Sequence, residues 1–318
     1  MVERDHWWPV ALASAVGPTP LACWLLGEPL VLWRHEAGAM QVLADRCPHR
    51  GARLSLGAVV QGQLQCPYHG WRFDGAGRCR AIPALPAFIP APAQAAHAYA
   101  ACEAHGMVWV CLGQPSVAVP ALPDLPPRCV AHGPFDVATS APRVVENFLD
   151  TAHFAFVHDG WLGEPAHADV PPYAVSHTPD GRPFVADYPA WQPRASAGAQ
   201  QGTWVRYRYE VLSPFAAMLQ KRPDGDGPAD AYVLWVCPMQ EESCRVWFVQ
   251  HTTDFDTPDE SLRTFQAMIF AQDQPILESQ TPKRLPLYAG GEAMCAADRL
   301  SAAYRRYLRD TGIAYGVC

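Results

Sequence analysis

Cys47-Pro48-His49-Arg50-Gly51 and Cys66-Pro67-Tyr68-His69-Gly70-Trp71, with sixteen residues between His49 and Cys66, decide how the rest of this 318-residue chain is read. Each short stretch supplies one thiol and one imidazole. Each is followed by a glycine that lets the backbone bend so that amides can point at a metal centre and its sulfurs. Four Cys/His ligands can hold a tetrahedral zinc, although zinc fingers usually pair Cys with Cys and His with His along the chain. Mixed loops suit a two-iron cluster in which both thiolates hold one iron and both imidazoles the other. Imidazole is neutral, so such a cluster keeps less negative charge and a higher reduction potential. The second ring nitrogen stays near the surface as a point of electron exit. The remaining alternative is that these are four core residues without metal.

Around this pair of loops the chain reads as strand-rich. Pro29-Leu30-Val31-Leu32-Trp33 and Met107-Val108-Trp109-Val110-Cys111-Leu112 are short apolar runs punctuated by Gly, Pro and polar turns, the pattern of a small antiparallel β domain over residues 1–115. From Pro115 to Pro127 the chain is too rich in proline for a helix and is predicted to be an extended linker. The second domain is then 128–318. Composition is that of a protein with a real core, 49% apolar and 17% charged. A net charge of −7 without a clustered basic face argues against nucleic-acid binding. The charged start, Glu3-Arg4-Asp5, is unlike a signal peptide, and no apolar run reaches the roughly 18 residues of a membrane span. Eleven cysteines, an odd number without small-scaffold spacing, are expected as reduced thiols in a cytoplasmic protein.

In the second domain Val205, Tyr207, Tyr209 and Val211 alternate with Arg206, Arg208 and Glu210, as in a half-buried strand. Strands are also predicted over Ala231–Cys237 and Arg245–His251. Aromatics such as Trp204, Tyr207, Trp235, Trp247 and Phe248 belong to a sheet core or a cavity wall. Thr257 as N-cap, Pro258 at the first helical position and Glu260 form a capping box that opens a helix. Its stripe runs Leu262, Phe265, Ile269, Asp273, Ile276, Gln280, and Pro275 is expected to bend it. A last helix is placed at about 292–309.

A second constellation lies in Asn147-Phe148-Leu149-Asp150-Thr151-Ala152-His153-Phe154-Ala155-Phe156-Val157-His158. On a helix Asp150 and His153, three apart, share a face. His153 and His158, five apart, diverge by about 140° and converge only where the helix ends or distorts. Singly, each His reads as an ordinary core or turn residue. Beside an upstream electron-carrying centre the pair gains a purpose, because such a carrier needs something to reduce. Two imidazoles and one carboxylate leave open positions on Fe(II) for O₂ and substrate. Asp273, placed on an apolar helical stripe where a bare carboxylate is costly, is the candidate third ligand; the alternative is a cap or an exposed turn.

The segments CPHRG and CPYHGWRF resemble the Rieske [2Fe–2S] motif. NFLDTAHFAFVH together with AQDQPILESQ resembles the catalytic part of Rieske non-haem iron oxygenases, above all the group containing vanillate and dicamba O-demethylases and toluenesulfonate methyl-monooxygenase. The resemblance implies an α+β architecture, a Rieske β domain followed by a helix-grip domain of antiparallel sheet and helices. It implies Cys47 and Cys66 on one iron of the cluster and His49 and His69 on the other, with His153, His158 and Asp273 on a catalytic Fe(II). Asp150 matches the family's bridging aspartate, which links the catalytic His to a cluster His of the adjacent subunit in a head-to-tail homotrimer. Asn147 matches a position beside the iron. The implied activity is O₂-dependent hydroxylation, or O- or N-demethylation, of a small to medium hydrophobic aromatic or alicyclic substrate. Electrons come from a separate reductase or ferredoxin, since the sequence holds no flavin, NAD or plant-type ferredoxin segment. Arg50, Trp71 and Arg72 border the cluster and either dock that partner or pack the loops. Two other readings are a Rieske-cluster carrier or redox sensor whose second domain binds ligand without iron, and a zinc-stabilised binding protein.

Overall fold

The Gly- and Pro-punctuated runs of the N-terminal third become short antiparallel strands. The computed structural model describes residues 1–35, 38–194, 201–223 and 229–318. These form two compact units, Met1–Val119 with Cys237–Gln240, and Pro120–Val236 with Glu241–Cys318.

The first unit contains β1 (Trp8–Leu12), β2 (Leu21–Leu25), β3 (Glu28–Arg34), β4 (Met40–Ala44), β5 (Ala58–Val60), β6 (Gln63–Gln65), β7 (Arg72–Phe73), β8 (Cys79–Ala81), β9 (Ala100–Ala104) and β10 (Met107–Cys111). They assemble as three small sheets ordered β1-β10-β9, β2-β3-β4 and β5-β6-β7-β8. Val31, Trp33 and Leu43 from the second sheet and Leu64 and Phe73 from the third close one core, which also takes in Cys47 and Cys66. Burial of each large side chain there is worth roughly 1.5–3 kcal/mol. The cluster loops are thus rooted in apolar packing at their cysteines. No regular element occupies the stretch between Cys111 and Arg128, in keeping with its prolines.

The second unit is built on β11 (Arg128–Val137), α1 (Ala141–Leu149), α2 (Phe154–Val157), β12 (Ser176–His177), β13 (Pro183–Gln192), β14 (Thr203–Ser213), β15 (Ala216–Pro223), β16 (Asp230–Gln240), β17 (Ser243–Thr252), α3 (Asp259–Ser279) and α4 (Arg299–Asp310). The strands form a seven-stranded sheet ordered β11-β17-β16-β15-β14-β13-β12. Strand β14 carries the alternation expected from sequence, with Val205, Tyr207, Tyr209 and Val211 buried. Helix α3 lies on the sheet through Phe270, whose ring is 5.0 Å from Phe135 and 5.2 Å from Phe248. The α+β class and the helix-on-antiparallel-sheet arrangement agree with expectation. No helix among the described residues is long and apolar enough to cross a membrane.

Three local expectations need correction. Helix α3 begins at Asp259 with Pro258, in extended conformation, as N-cap, and no side chain caps it. The Thr257 amide is instead taken by Asp254 Oδ1 at 2.9 Å, so the Thr257–Glu260 capping box does not form. The buried stripe of α3 ends on Leu277, whereas Ile276 is 48% exposed. The last helix begins at Arg299, after a single 3₁₀ turn over Ala296–Asp298, and not near 292. Glu292 lies in the preceding loop, where it pairs with Arg143 and Arg305.

Candidate metal centres and cavity

The two cluster loops have the same backbone construction. The amide of Cys47 donates to Ala52 O and that of Gly51 to Cys47 O, at 2.8 and 2.9 Å; Cys66 donates to Trp71 O and Gly70 to Cys66 O, at 2.8 and 3.1 Å. Gly51 and Gly70 have φ of +73° and +69°, a left-handed turn that favours glycine at both places. Both thiols are buried and both imidazoles exposed. The rings of His49 and His69 lie 4.5 Å apart, and Trp71 stacks on His49 at 4.6 Å. Burial and the adjoining Cys66 push the Cys47 thiol up to about 11. Two adjacent buried thiolates need a cation between them, and inner sulfurs with outer imidazoles are the donor set of a mixed-ligand two-iron cluster.

In the second unit α1 ends at Leu149, and Asp150 is its C-cap in extended conformation. A single helical turn, α2, then places His153 at one end and His158 at the other. The helix therefore does end between Asn147 and His158, and this allows two histidines five apart to converge. Asp150 and His153 meet across that break, not along a shared helical face as the spacing alone implied. His153 Nδ1 is 3.0 Å from Asp150 Oδ2, and the Ala152 amide donates to Asp150 Oδ1 at 2.9 Å. Burial opposes the charge of Asp150, but these donors outweigh it and hold its pKa below the usual carboxylate value. His158 Nδ1 is 2.8 Å from Gln272 Oε1. With each Nδ1 engaged in this way, both Nε2 atoms face inward. They stand 3.2 Å apart, and 3.4 Å (His153) and 3.2 Å (His158) from Asp273 Oδ1.

Donors of a facial set around an ion at roughly 2.1 Å would stand about 3.0 Å apart, so these three side chains fit one divalent ion. Among the described residues they form the group of three or more His, Cys, Asp or Glu side chains whose ligand atoms all lie within 4.8 Å. Asp273 is buried, and Asn147 Nδ2 donates to its Oδ1 at 3.2 Å. Burial alone would suppress the charge on His158, yet Asp273 and Gln272 raise its pKa above the ordinary value. Gln272 was not singled out from sequence; its place beside Asp273 on α3 was the one available signal.

These side chains border a cavity between the sheet and helices α1, α2 and α3. Phe148, Phe154, Tyr207, Tyr232, Phe248 and Phe270 give it aromatic walls. Of the aromatics weighed from sequence, Tyr207 and Phe248 line this space, Trp235 and Trp247 are buried, and Trp204 is 46% exposed. Asp150 and His153 also border a separate surface cavity with Arg143, Glu146 and Arg305.

Comparison with known proteins matches two family models in succession along the chain. Residues 6–127 match the family model of the Rieske [2Fe-2S] domain, and residues 137–312 that of the vanillate O-demethylase oxygenase C-terminal domain. The chain is 33% identical to the methylxanthine N1-demethylase NdmA of Pseudomonas putida, over 96% of this chain and 88% of that protein. It is 31% identical to the methylxanthine N3-demethylase NdmB of the same organism, over 98% and 90%. Among solved structures, dicamba monooxygenase bound to dicamba superimposes with a TM-score of 0.80 at 26% identity, covering 97% of each chain.

Proposed function

This chain belongs to the Rieske oxygenases with a vanillate O-demethylase-type catalytic domain, and from that membership we propose that it removes a methyl group from oxygen or nitrogen of a small aromatic substrate. It is an oxidoreductase, the oxygenase component of a multicomponent system. In our reading Cys47, Cys66, His49 and His69 hold the [2Fe–2S] cluster, and His153, His158 and Asp273 hold Fe(II). When bound, the two centres together supply electrons and activated O₂ for attack on a C–H bond. The observation that carries the assignment is the convergence of His153 Nε2, His158 Nε2 and Asp273 Oδ1 on the wall of an aromatic cavity.

The protein's own groups have separable tasks. Asp150 and Gln272 fix the tautomer and orientation of the two imidazoles, so that Nε2 of each is the free lone pair. Asn147 holds the Asp273 carboxylate in place through Oδ1. The aromatic walls exclude water and hold a flat ring by stacking and edge contacts. After hydroxylation of the methyl carbon, the hemiacetal or hemiaminal collapses to the demethylated product and formaldehyde. Electrons come from a separate reductase or ferredoxin. The assembly we propose is a head-to-tail homotrimer in which Asp150 of one chain meets a cluster histidine of the next, a heterologous interface that closes on itself.

Metal analysis of anaerobically purified holoenzyme tests this reading. About three irons per chain are expected, falling to about two with the cluster spectrum intact in Asp273→Ala. Two irons in the wild-type chain, or zinc alone, would overturn it. A panel of methoxy- and N-methyl-aromatics with a surrogate reductase should couple NADH oxidation to formaldehyde.

A further inference from the structure

Two further cavities adjoin the one beside His153, His158 and Asp273, and each shares two side chains with it. The surface cavity on the Asp150 side shares Asn147 and His153. A second cavity, across α2, shares Phe154 and Leu162, and Thr151, Ala155, Ala166 and His167 continue its wall. Ala166 and His167 are exposed, so this second cavity reaches solvent. Phe154 and Leu162 thus stand between the surface there and the metal-binding side chains.

The backbone that carries these two side chains is tied down. The amides of Phe156 and Val157 donate to His153 O at 3.0 and 2.8 Å, and that of His158 to Phe154 O at 3.2 Å. Those of Trp161 and Leu162 donate to His158 O at 2.9 and 3.0 Å. The side chains themselves are freer. Phe154 and Leu162 are only half-buried, because each fronts open space on two sides. The Phe154 ring lies 4.9, 5.8 and 6.1 Å from those of His153, His158 and Tyr207, and such ring contacts are weak and lost on one rotation of the side chain. Elsewhere the wall is fixed: Phe248 and Phe270 are buried, 5.2 Å apart, and both pack on Phe135. On the Asp150 side, His153 and Asn147 are hydrogen-bonded to Asp150 and Asp273, and a metal ligand cannot swing aside without releasing its ion.

We propose that Phe154 and Leu162 are the gate of the catalytic cavity. Ligands enter and leave between them, by way of the cavity next to Ala166, and the Phe154 ring sets the size of molecule that passes. Side-chain rotation on a fixed turn is the motion required, with no displacement of α2 or of the two histidines at its ends. Such a gate acts on access alone, and the demethylase reading enters only in making a flat aromatic ring the molecule to be admitted.

A thiol placed inside the cavity reports passage whatever the substrate is. Val144 lines the cavity and is 1% exposed, so in Val144→Cys the new sulfur is reached from within. Holoenzyme of this variant is treated with methyl or benzyl methanethiosulfonate, and peptide mass spectrometry follows modification at position 144. Adding Phe154→Ala should speed the benzyl reagent roughly 10- to 100-fold and the methyl reagent by less than about threefold, with Leu162→Ala smaller but in the same direction. Ala166→Trp, which narrows the outer cavity, should slow both reagents about 10-fold, whereas Met294→Trp, in the cavity on the Asp150 side, should change neither. Equal acceleration of the two reagents in Phe154→Ala would mean a loosened fold and overturn the proposal. So would a benzyl rate that Phe154→Ala leaves unchanged, or slowing by Met294→Trp in place of Ala166→Trp. Formaldehyde release decides the demethylase reading separately. Modification of the thiol needs no turnover, so the gate can stand where no formaldehyde is released and fail where it is.

Discussion

Asp150 and Gln272 act on the same centre through different histidines, and their removal should be distinguishable. Asp150 Oδ2 holds His153 Nδ1 at 3.0 Å and reaches a surface cavity, so it serves both orientation and the proposed junction with a neighbouring chain. Asp150→Asn keeps the size and a hydrogen-bonding oxygen but loses the charge. Both metals should remain bound while turnover with reductase drops by about 100-fold; metal content and steady-state rate measured together decide it, and normal turnover would end the bridging assignment. Gln272 Oε1 accepts from His158 at 2.8 Å deep in the protein, with His158 only 2% exposed at its side chain. Gln272→Met should instead weaken iron retention, by roughly 10- to 100-fold in a chelator competition, with the [2Fe–2S] spectrum unchanged. At this scale the sequence was uneven. The cluster ligands follow from two short loops that each contain their own Cys, His and glycine. Gln272 was illegible, because its role depends on which face of α3 meets α2.

Element packing decides whether those residues meet at all. The α2 turn that separates His153 from His158 closes against Gly163, where a Cβ would come within 2.6 Å of the Phe154 carbonyl carbon and 2.7 Å of the Ala155 nitrogen. Both are backbone atoms, so Gly163→Ala must push the turn away. We expect a loss of about 1–3 kcal/mol in stability and mononuclear iron depleted relative to cluster iron, read by thermal melts and metal analysis; full iron with an unchanged melt would show that the turn is not held from this side. Helix α1 is fixed by a buried ion network, Arg305 with Glu146 and Glu292, and Arg143 with Glu292. Burial raises the pKa of Glu146; Arg305 opposes that shift most, and Arg143, 3.9 Å away, adds to the opposition. Arg305→Met removes the closest partner of this carboxylate and leaves it only the more distant Arg143, and should cost roughly 3–5 kcal/mol in denaturant unfolding, with much of the loss recovered in the Arg305→Met, Glu146→Met double variant. A single variant as stable as the parent would show that the network contributes nothing. The periodicity of β14 and the existence of α3 could be read directly, since each obeys a period set by one buried face. The 153–158 spacing could not, because convergence there comes from a helix that stops at Leu149, and no Gly or Pro marks the stop. The end of the α3 stripe was misread for a related reason: Leu277 and Ile276 are equally apolar, and only packing on the sheet chooses between them.

The proposed assembly makes a quantitative demand on mixed oligomers. Let one chain carry Cys66→Ser with His69→Ala, so that it holds the catalytic iron but no cluster, and let a second carry Asp273→Ala, so that it holds the cluster but no catalytic iron. Neither homotrimer should turn over. In a head-to-tail ring containing both, whether two of the first and one of the second or the reverse, there is one junction at which an intact cluster faces an intact catalytic site. Doubly tagged, co-expressed mixed trimers should therefore show about a third of the wild-type rate per trimer. Light scattering checks that three chains are present, and metal analysis checks that each variant retains the centre it should. If electrons passed only within a chain, no arrangement of these two variants would restore activity, because neither polypeptide has both ends of the route. Adding Asp150→Asn to the first chain should abolish the recovered rate, since that chain supplies the aspartate at the productive junction. The same substitution in the second chain should leave the rate unchanged, because its Asp150 serves a site with no iron. That asymmetry separates a directed junction between chains from any general loss of fit.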